Sequence, residues 1–310
     1  MIHLGIGFDR NYLRPLYAWI ASVEENNPGQ KIFIHAMCLD IPPDELKKIE
    51  NKIRKFGDIV FYPVDAGKVA EIAVSGQWTA AVYFRLFLPM LIVATIDRLL
   101  YMDLDTLVLK DLGSLYQLDL LGHPVAAVYD NYVRLQPLID IHEEGNYFNS
   151  GVLLIDLRLW NRLSISQTAL AFLKEHPDKI LFVDQCALNA VLKNNWLKIP
   201  ETFNLLYSYI PSGLSRQQLN VFLTDKVIIH FTLQRPWEML CKNRFRHLYF
   251  RYLKMAGVND RTKYPDFSMV KIPAWVNIRL MELYFDFYLL QKIWRFIKKM
   301  VPGKFRSHTE

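Results

Sequence analysis

The sequence predicts an α/β fold, a doubly wound, Rossmann-like mixed sheet, mainly parallel, with helices on both faces, followed by a helical tail rich in basic and aromatic residues. Three observations carry that prediction. Apolar β-type runs alternate with helical ones through the first hundred residues. Several of these runs end in residues able to do chemistry, where open α/β sheets bind ligands. The excess charge sits at the far end: residues 287–306 hold Lys292, Arg295, Lys298, Lys299, Lys304 and Arg306 and no acid.

Taken in order, Ile2 to Phe8 reads as a buried strand, with Asp9-Arg10-Asn11-Tyr12 as the loop at its C-terminal end. Pro15 suits the first turn of a helix in which Leu13, Leu16, Ile20 and Val23 recur at helical spacing. Lys31 to Met37 is a second strand. A helix then starts near Pro43-Asp44-Glu45, buries Leu46, Ile49 and Ile53, and stops before Gly57. Ile59 to Val64 is a third strand. Residues 79–95 read as a buried helix whose one charge, Arg85, needs an anion, either a structural carboxylate or a ligand.

Arg98 to Thr106 is an apolar segment that delivers Asp103 and Asp105 near its end. On extended chain both can project to one side. The pair is either two solvated strand-end acids or a seat for a divalent cation that leaves room for phosphates. Val125 to Tyr129 is a strand ending in Asp130. Phe148-Asn149-Ser150-Gly151 reads as a turn before the buried strand Val152 to Ile155, and Ser164 or Ser166 as the cap of a helix running to about Glu175. Val183 to Leu188 starts another helix. Lys226 to His230 is a strand that ends in a histidine, a structural residue or a ligand. With two aspartates available, an Asp, Asp, His set suits Mn²⁺, which accepts both oxygen and imidazole.

Composition narrows the classes. The chain has 310 residues, 52% of them hydrophobic, enough for one large domain or a domain with an appendage. No run of about 18 uncharged apolar residues marks a membrane span. Met1-Ile2-His3-Leu4-Gly5 reads as strand and not as a secretory leader. Cys38, Cys186 and Cys241 form no zinc pattern, and their odd number favours a reducing cytoplasm. Without the six tail residues the chain has 31 basic and 31 acidic residues, so no general nucleic-acid-binding surface is expected. Gly5 and Gly7 follow Gly-x-Gly, but Arg10 stands at the third glycine position, against a dinucleotide site.

Over roughly residues 1–240 the motifs, in order, resemble those of the family-eight glycosyltransferases of GT-A fold, especially bacterial lipopolysaccharide galactosyl- and glucosyltransferases. Asp9-Arg10-Asn11-Tyr12 matches an opening Asp-x-Asn-Tyr, which implies contacts from Asp9 and Asn11 to the uridine of a UDP-sugar. Tyr83-Phe84-Arg85-Leu86 matches Tyr-x-Arg-Leu and implies that Arg85 touches the donor. Asp103-Leu104-Asp105 matches the metal-binding Asp-x-Asp, which implies Mn²⁺, with Mg²⁺ as an alternative, carrying the diphosphate. Asp130 and Asn149, the latter in Phe-Asn-x-Gly, match residues near the donor sugar, and Asp184-Gln185 the pair beside the anomeric carbon. His230-Phe231 matches the His-Phe or His-Tyr whose histidine completes the metal shell. Gly7 and Leu104 fall among the implied donor-binding residues, as do Tyr12 and Trp78, whose rings either stack on uracil or simply pack.

Two departures stand out. The segment Phe231-Thr232-Leu233-Gln234-Arg235-Pro236-Trp237 lacks the family's glycine and is one residue short, with Arg235 in place of its lysine as a phosphate clamp. Cys186 replaces the last acid of Asp-Gln-Asp.

The resemblance implies a retaining transfer of galactose or glucose from UDP-galactose or UDP-glucose to a saccharide or glycolipid acceptor, such as lipopolysaccharide. Gln185 is a poor nucleophile and Asp184 a hydroxyl-binding residue, which favours front-face substitution over a covalent intermediate. Asp130, Asp184 and Gln185 are the candidate catalytic residues. The expected organisation is a catalytic domain over 1–240 and a helical region over 241–310. Helical spacing is continuous from about Ala274 to Val301, with Leu289, Ile293, Phe296, Ile297 and Met300 on one side. Lys292, Arg295 and Lys299 line its flank, and Tyr288 and Trp294 add amphipathic rings. Residues 275–306 are then either an interfacial helix on anionic lipid at the inner face of the cell membrane or a packed helix with a solvated basic face. The competing classes are a silent UDP-sugar or carbohydrate-binding protein of the same fold and a self-glucosylating, glycogenin-like protein.

Overall fold

Alternating apolar side chains on the strands build a core on each face of one sheet. The computed structural model describes residues 1–64, 80–92, 96–258, 264–287 and 290–292. The chain runs β1 (Ile2–Phe8), α1 (Leu13–Asn26), β2 (Ile32–Leu39), α2 (Pro43–Ile53), β3 (Gly57–Val64) and α3 (Phe84–Leu91). It continues through β4 (Arg98–Met102), β5 (Thr106–Val108), α4 (Gly113–Tyr116), β6 (Val125–Tyr129) and β7 (Phe148–Asp156). After α5 (Leu157–Arg162), α6 (Ile165–Glu175) and α7 (Val183–Val191) come β8 (Leu197–Ile199), α8 (Arg216–Phe222) and β9 (Ile228–His230). Two further helices follow, α9 (Arg246–Met255) and α10 (Ile272–Asp286).

The main sheet has seven strands in the order β3-β2-β1-β4-β7-β6-β8. All run parallel except β7, which lies antiparallel between β4 and β6. Strand alternation sends Leu100, Met102, Ala126, Val128, Val152 and Leu154 into one core with α1 and α9. Their neighbours Leu99, Tyr101, Val125, Ala127, Leu153 and Ile155 enter the other with α3, α5, α6 and α7. The first core continues past residue 240, because Phe245, Tyr249, Tyr252 and Leu253 belong to it. Gly5 and Gly7 let α3 lie directly on β1. A Cβ on Gly7 would stand 2.7 Å from the Cβ of Phe84. The three cysteines are free and buried.

The antiparallel strand matters most for the site. Because β7 runs against its neighbours, it begins where β4 and β6 end. Phe148–Gly151 are therefore the first residues of β7 and not a preceding turn, and Asp103 N–H donates to Gly151 O at 2.8 Å. A second, two-stranded sheet pairs β5 with β9 antiparallel and sets His230 opposite Thr106.

Three other expectations change. Asp103 and Asp105 do not alternate on extended strand: the chain turns after Met102, and both the N–H and the hydroxyl of Thr106 donate to Asp103 O, at 3.2 and 2.6 Å. Ser164 holds the N-cap position of α6 in left-handed backbone with no side-chain cap bond, while Ser166 Oγ accepts from Trp160 Nε1. The tail helix is interrupted: α10 ends at Asp286 with Phe287 extended, and helix is described again at 290–292. Tyr288, Leu289, Ile293, Trp294, Arg295, Phe296, Ile297, Lys298, Lys299, Met300, Lys304 and Arg306 lie outside the described residues, as does Trp78.

Candidate active site

A cavity of about 460 Å³ opens at the C-terminal ends of the parallel strands. Gly7, Tyr12, Arg85, Asp103, Leu104, Asp105, Asp130, Asn149, Asp184, Gln185, His230 and Arg235 all line it. Asp9 and Asn11 do not. Asp9 is buried, and its carboxylate accepts the Asn11 N–H at 2.9 Å, which caps the single turn that presents Tyr12. Leu104 belongs to the core beneath the cavity.

At the floor, one ligand atom each from Asp103, Asp105 and His230 lie within 4.8 Å of one another. His230 Nε2 is 3.0 Å from Asp105 Oδ1, and its Nδ1 is 3.1 Å from Asn204 Oδ1. Asn204 in turn donates from Nδ2 to Asn149 Oδ1 at 3.0 Å, so its oxygen faces the imidazole and can only accept. Nδ1 therefore carries a proton; without a cation Nε2 is protonated too and donates to Asp105, and on losing that proton the ring would present Nε2 as a ligand. A carbonyl-type oxygen fixing the far nitrogen is the usual support of a metal-binding histidine. Gly151 leaves room for the arrangement: a Cβ there would stand 2.2 Å from His230 Cε1 and 2.8 Å from Asp103 Oδ2. The residues fit a divalent cation with mixed oxygen and nitrogen donors.

Arg85 finds its anions inside the protein. Its Nη2 donates to both oxygens of Asp103 at 2.9 and 3.1 Å, and its Nε pairs with Asp184 Oδ2 at 2.9 Å. Its Nη1 donates to Ser150 O and Ser150 Oγ at 2.6 and 2.8 Å. All three nitrogens of the guanidinium are thus engaged, Nε and Nη2 by one acid each and Nη1 by Ser150.

Gln185 is held as tightly. Its amide nitrogen donates to Asp130 Oδ2 at 3.1 Å, and its oxygen accepts from Ser150 N at 3.1 Å and Asn149 Nδ2 at 3.2 Å. Asn149 Nδ2 also donates to Asp130 Oδ2 at 3.1 Å, and Asp130 Oδ1 accepts from Tyr132 N. A continuous polar network therefore runs from Asp105 through His230, Asn204, Asn149, Gln185, Ser150 and Arg85 back to Asp103.

Electrostatics follow from this crowding. Burial raises the Asp184 carboxyl to about 6 against the opposing pull of Arg85. Burial also raises Asp103, with Arg85 opposing and Asp105 reinforcing. Burial works against ionised Asp105 too, but the His230 charge and hydrogen bond and then Arg235 outweigh it, and its pKa falls. Burial opposes a charged His230, yet Asp105 beside it prevails and the imidazole pKa rises above its ordinary 6.5.

Strained backbone borders the cavity on two sides. Val183 has φ 38° at the start of α7, immediately before Asp184 and Gln185. Leu233 takes φ 61° in the segment that lacks a glycine. Such conformations cost on the order of 1–3 kcal/mol each and persist where the surroundings impose them. Cys186 points away from the cavity. Its sulfur accepts from Phe182 N and lies 3.4 Å from Tyr147 Oη in a small apolar cluster, so this position supplies no group to the cavity wall.

Sequence reasoning missed Ser150, Gly151 and Asn204. Asn204 carried a signal, a polar residue inside the run Phe203-Asn204-Leu205-Leu206, and it is fully buried. Tyr132, Thr232 and Glu238 also line the cavity, without any signal of their own.

The chain is similar to known proteins over most of its length. The pattern of glycosyl transferase family 8 matches residues 3–241. General stress protein A of Bacillus subtilis (strain 168) is 33% identical over 273 residues, which cover 84% of this chain and 95% of that protein. Lipopolysaccharide 1,2-glucosyltransferase of Escherichia coli (strain K12) is 31% identical over 253 residues, 76% of this chain and 73% of its own. Among solved structures, the galactosyltransferase LgtC in complex with donor and acceptor sugar analogues superposes with a TM-score of 0.70 at 24% identity, over 88% of this chain and all of LgtC, a likeness of fold. From the first strand to Cys241, then, sequence pattern and strand order agree, and the chain belongs to glycosyl transferase family 8, on the GT-A fold.

Proposed function

We propose that this glycosyltransferase moves galactose or glucose from a UDP-sugar to a saccharide acceptor, lipopolysaccharide or another lipid-linked surface glycan, with retention of configuration and dependence on Mn²⁺. The observation that carries the reading is the Asp103, Asp105, His230 donor set at the floor of a cavity ringed by hydrogen-bonding side chains. A divalent cation on that set, Mn²⁺ or alternatively Mg²⁺, supplies Lewis-acid neutralisation of a diphosphate leaving group, worth several kcal/mol.

The chain's own residues do the rest. Arg235, whose charge is felt by both Tyr12 and Asp105, shares the diphosphate charge from the cavity rim. Tyr12 offers a ring face to the uracil, while Asp9 and Asn11 shape the turn that carries it. Arg85 holds Asp103 and Asp184 in fixed orientation, so that Asp184 is a positioning and hydroxyl-binding group. Asp130 and Asn149 orient the hexose. The Gln185 amide is neutral and fixed by Asp130, Asn149 and Ser150, suited to steady a developing cationic sugar and unsuited to attack it. With Asp184 paired to Arg85 and Asp130 bonded to two amide side chains, no unengaged carboxylate among the described residues stands ready as a nucleophile. Front-face substitution, with the leaving oxygen taking the acceptor proton, accords best with that.

The region after residue 240 is proposed to place the enzyme on the anionic inner face of the cell membrane. Among the described residues no helix is long and apolar enough to cross a bilayer. Helix α10 nevertheless exposes Val276, Leu280, Met281 and Leu283.

Hydrolysis of a panel of UDP-sugars with and without Mn²⁺ tests the proposal, with Asp103→Asn as control. Turnover should need the cation and fall to background in the variant; equal turnover by Asp103→Asn would remove the metal assignment. A covalent glycosyl adduct on Asp184 or Asp130 would refute the front-face course.

A further inference from the structure

A second cavity, of about 390 Å³, lies between α8, α9 and α10, apart from the catalytic one. Its wall carries Arg216, Arg244, Arg246, Arg279 and His247 against only two acids, Glu282 and Asp286. Both acids are already engaged. Arg246 Nη2 donates to Glu282 Oε2 at 2.7 Å, Arg279 Nη1 to the same oxygen at 2.8 Å, and Arg244 pairs with Asp286. Arg216 is exposed and forms no ion pair among the described residues. Burial, and after it the charges of Arg216, Arg246 and Arg251, pushes the His247 imidazole below its ordinary value.

Among the buried side-chain donors without a hydrogen-bond partner in the described residues, two belong to residues lining this cavity: Arg279 Nη2 and Trp275 Nε1. They sit one helical turn apart on α10, with the guanidinium carbon 5.6 Å from the Trp275 ring centre. Buried donors left unmade are costly, and a native cavity that keeps two of them beside surplus positive charge is short of an acceptor. The missing acceptor needs several oxygens and negative charge. Arginine forks match a tetrahedral oxyanion, and an aromatic wall can receive the group to which that oxyanion is esterified.

We propose that this cavity binds a phosphate group, free or as an ester such as a phospholipid headgroup, through Arg216, Arg279 Nη2 and Trp275 Nε1. Both sources share the same oxyanion. The exposed apolar side chains of α10 next to the cavity would lie toward acyl chains in the lipid case.

The test uses the full chain and two variants that keep the fold: Trp275→Phe, which removes one N–H and retains the ring and the net charge, and Arg216→Ala. Calorimetric titration with inorganic phosphate and with glycerol 3-phosphate reads the free anion. Co-sedimentation with phosphatidylglycerol-containing vesicles, against phosphatidylcholine alone, reads the headgroup. Saturable binding to the soluble anions, weakened about tenfold or more in each variant, supports the site with phosphate alone sufficient. Binding confined to phosphatidylglycerol vesicles and weakened to the same extent by Trp275→Phe supports it with lipid as the source. Absence of saturable binding to every probe overturns it. So does binding that both variants retain in full, since that would belong to the basic tail or to the catalytic cavity. UDP-sugar hydrolysis should be unchanged in both variants.

Discussion

Replacing Gly151 by alanine adds one carbon at the tightest of the described glycine positions. The backbone there is ordinary strand, so the change carries no conformational penalty of its own; its whole effect is steric. The new Cβ would stand 2.2 Å from His230 Cε1, where ordinary carbon contacts need about 3.5 Å, so the imidazole must retreat by about 1.3 Å. The strand cannot yield instead, because β7 is paired on both sides and Gly151 O accepts the Asp103 N–H. A retreat of that size breaks the bonds from His230 to Asn204 and Asp105. One is a neutral bond and the other charge-assisted, together about 2–4 kcal/mol. Asp103 Oδ2, 2.8 Å from the same Cβ, is displaced as well.

Ligand sets tolerate only about 0.5 Å of misplacement, so Mn²⁺ affinity should fall at least about 100-fold. Overpacking should take only about 1–3 kcal/mol from global stability, leaving a folded protein. Calorimetric Mn²⁺ titration reads the first effect and thermal unfolding the second. A folded Gly151→Ala variant that binds Mn²⁺ as wild type does would refute both the steric reasoning and the assignment of His230 to the site.

Other predictions follow from the same network. Asn204→Ala should weaken Mn²⁺ binding about 10–100-fold without touching the ligands, because it frees the His230 ring to turn; unchanged affinity would reduce Asn204 to a packing residue. Arg85→Met leaves Asp103 and Asp184 buried without their cation and should cost about 3–5 kcal/mol in denaturant unfolding, whereas a loss below about 1 kcal/mol would mean the pair is solvated. In chelator, His230 binds its proton more tightly in the native state than in the unfolded chain. Its contribution is therefore complete below about pH 6.5 and is lost as pH rises through the raised native value. With Mn²⁺ the sign reverses, because coordination requires unprotonated Nε2 and the cation's stabilisation grows with pH. Melting curves between about pH 5 and 8 with and without Mn²⁺ should diverge; parallel curves would contradict the assignment.

Much of this was legible because strand-end positions advertise themselves. Asp103, Asp105, Asp130 and His230 each follow or end an apolar run, and a doubly wound sheet brings such ends together whatever the order of its strands. What stayed hidden depends on relations between distant segments. The single antiparallel strand turns Phe148–Gly151 from a loop into the first residues of β7, and no local pattern distinguishes a parallel from an antiparallel buried strand. Gly151 reads as a turn glycine until His230 is seen beside it. Asn204 is one buried amide among several, and its meaning lies in two partners, 26 and 55 residues away. The break at Phe287 escaped because the apolar spacing on either side of it still fits a 3.6-residue period.

Arg85 shows how the parts act as one. Without an added cation the floor of the cavity holds Asp103, Asp105 and Asp184, and three buried carboxylates in such proximity cannot all ionise unaided. Arg85 is shared between Asp103 and Asp184, and a protonated His230 pairs with Asp105, so three carboxylates face two positive charges. With all three acids ionised the floor therefore carries one net negative charge before any ligand arrives, and the His230 proton is its exchangeable positive charge. A divalent cation that displaces this proton adds a single net charge to the floor, while Arg85 keeps Asp184 paired and out of the coordination set. Arg85 thus sits behind Asp103, whereas Arg235 lines the cavity with only a long contact to Glu238, 3.9 Å from its Nη1, where the proposed diphosphate would meet it.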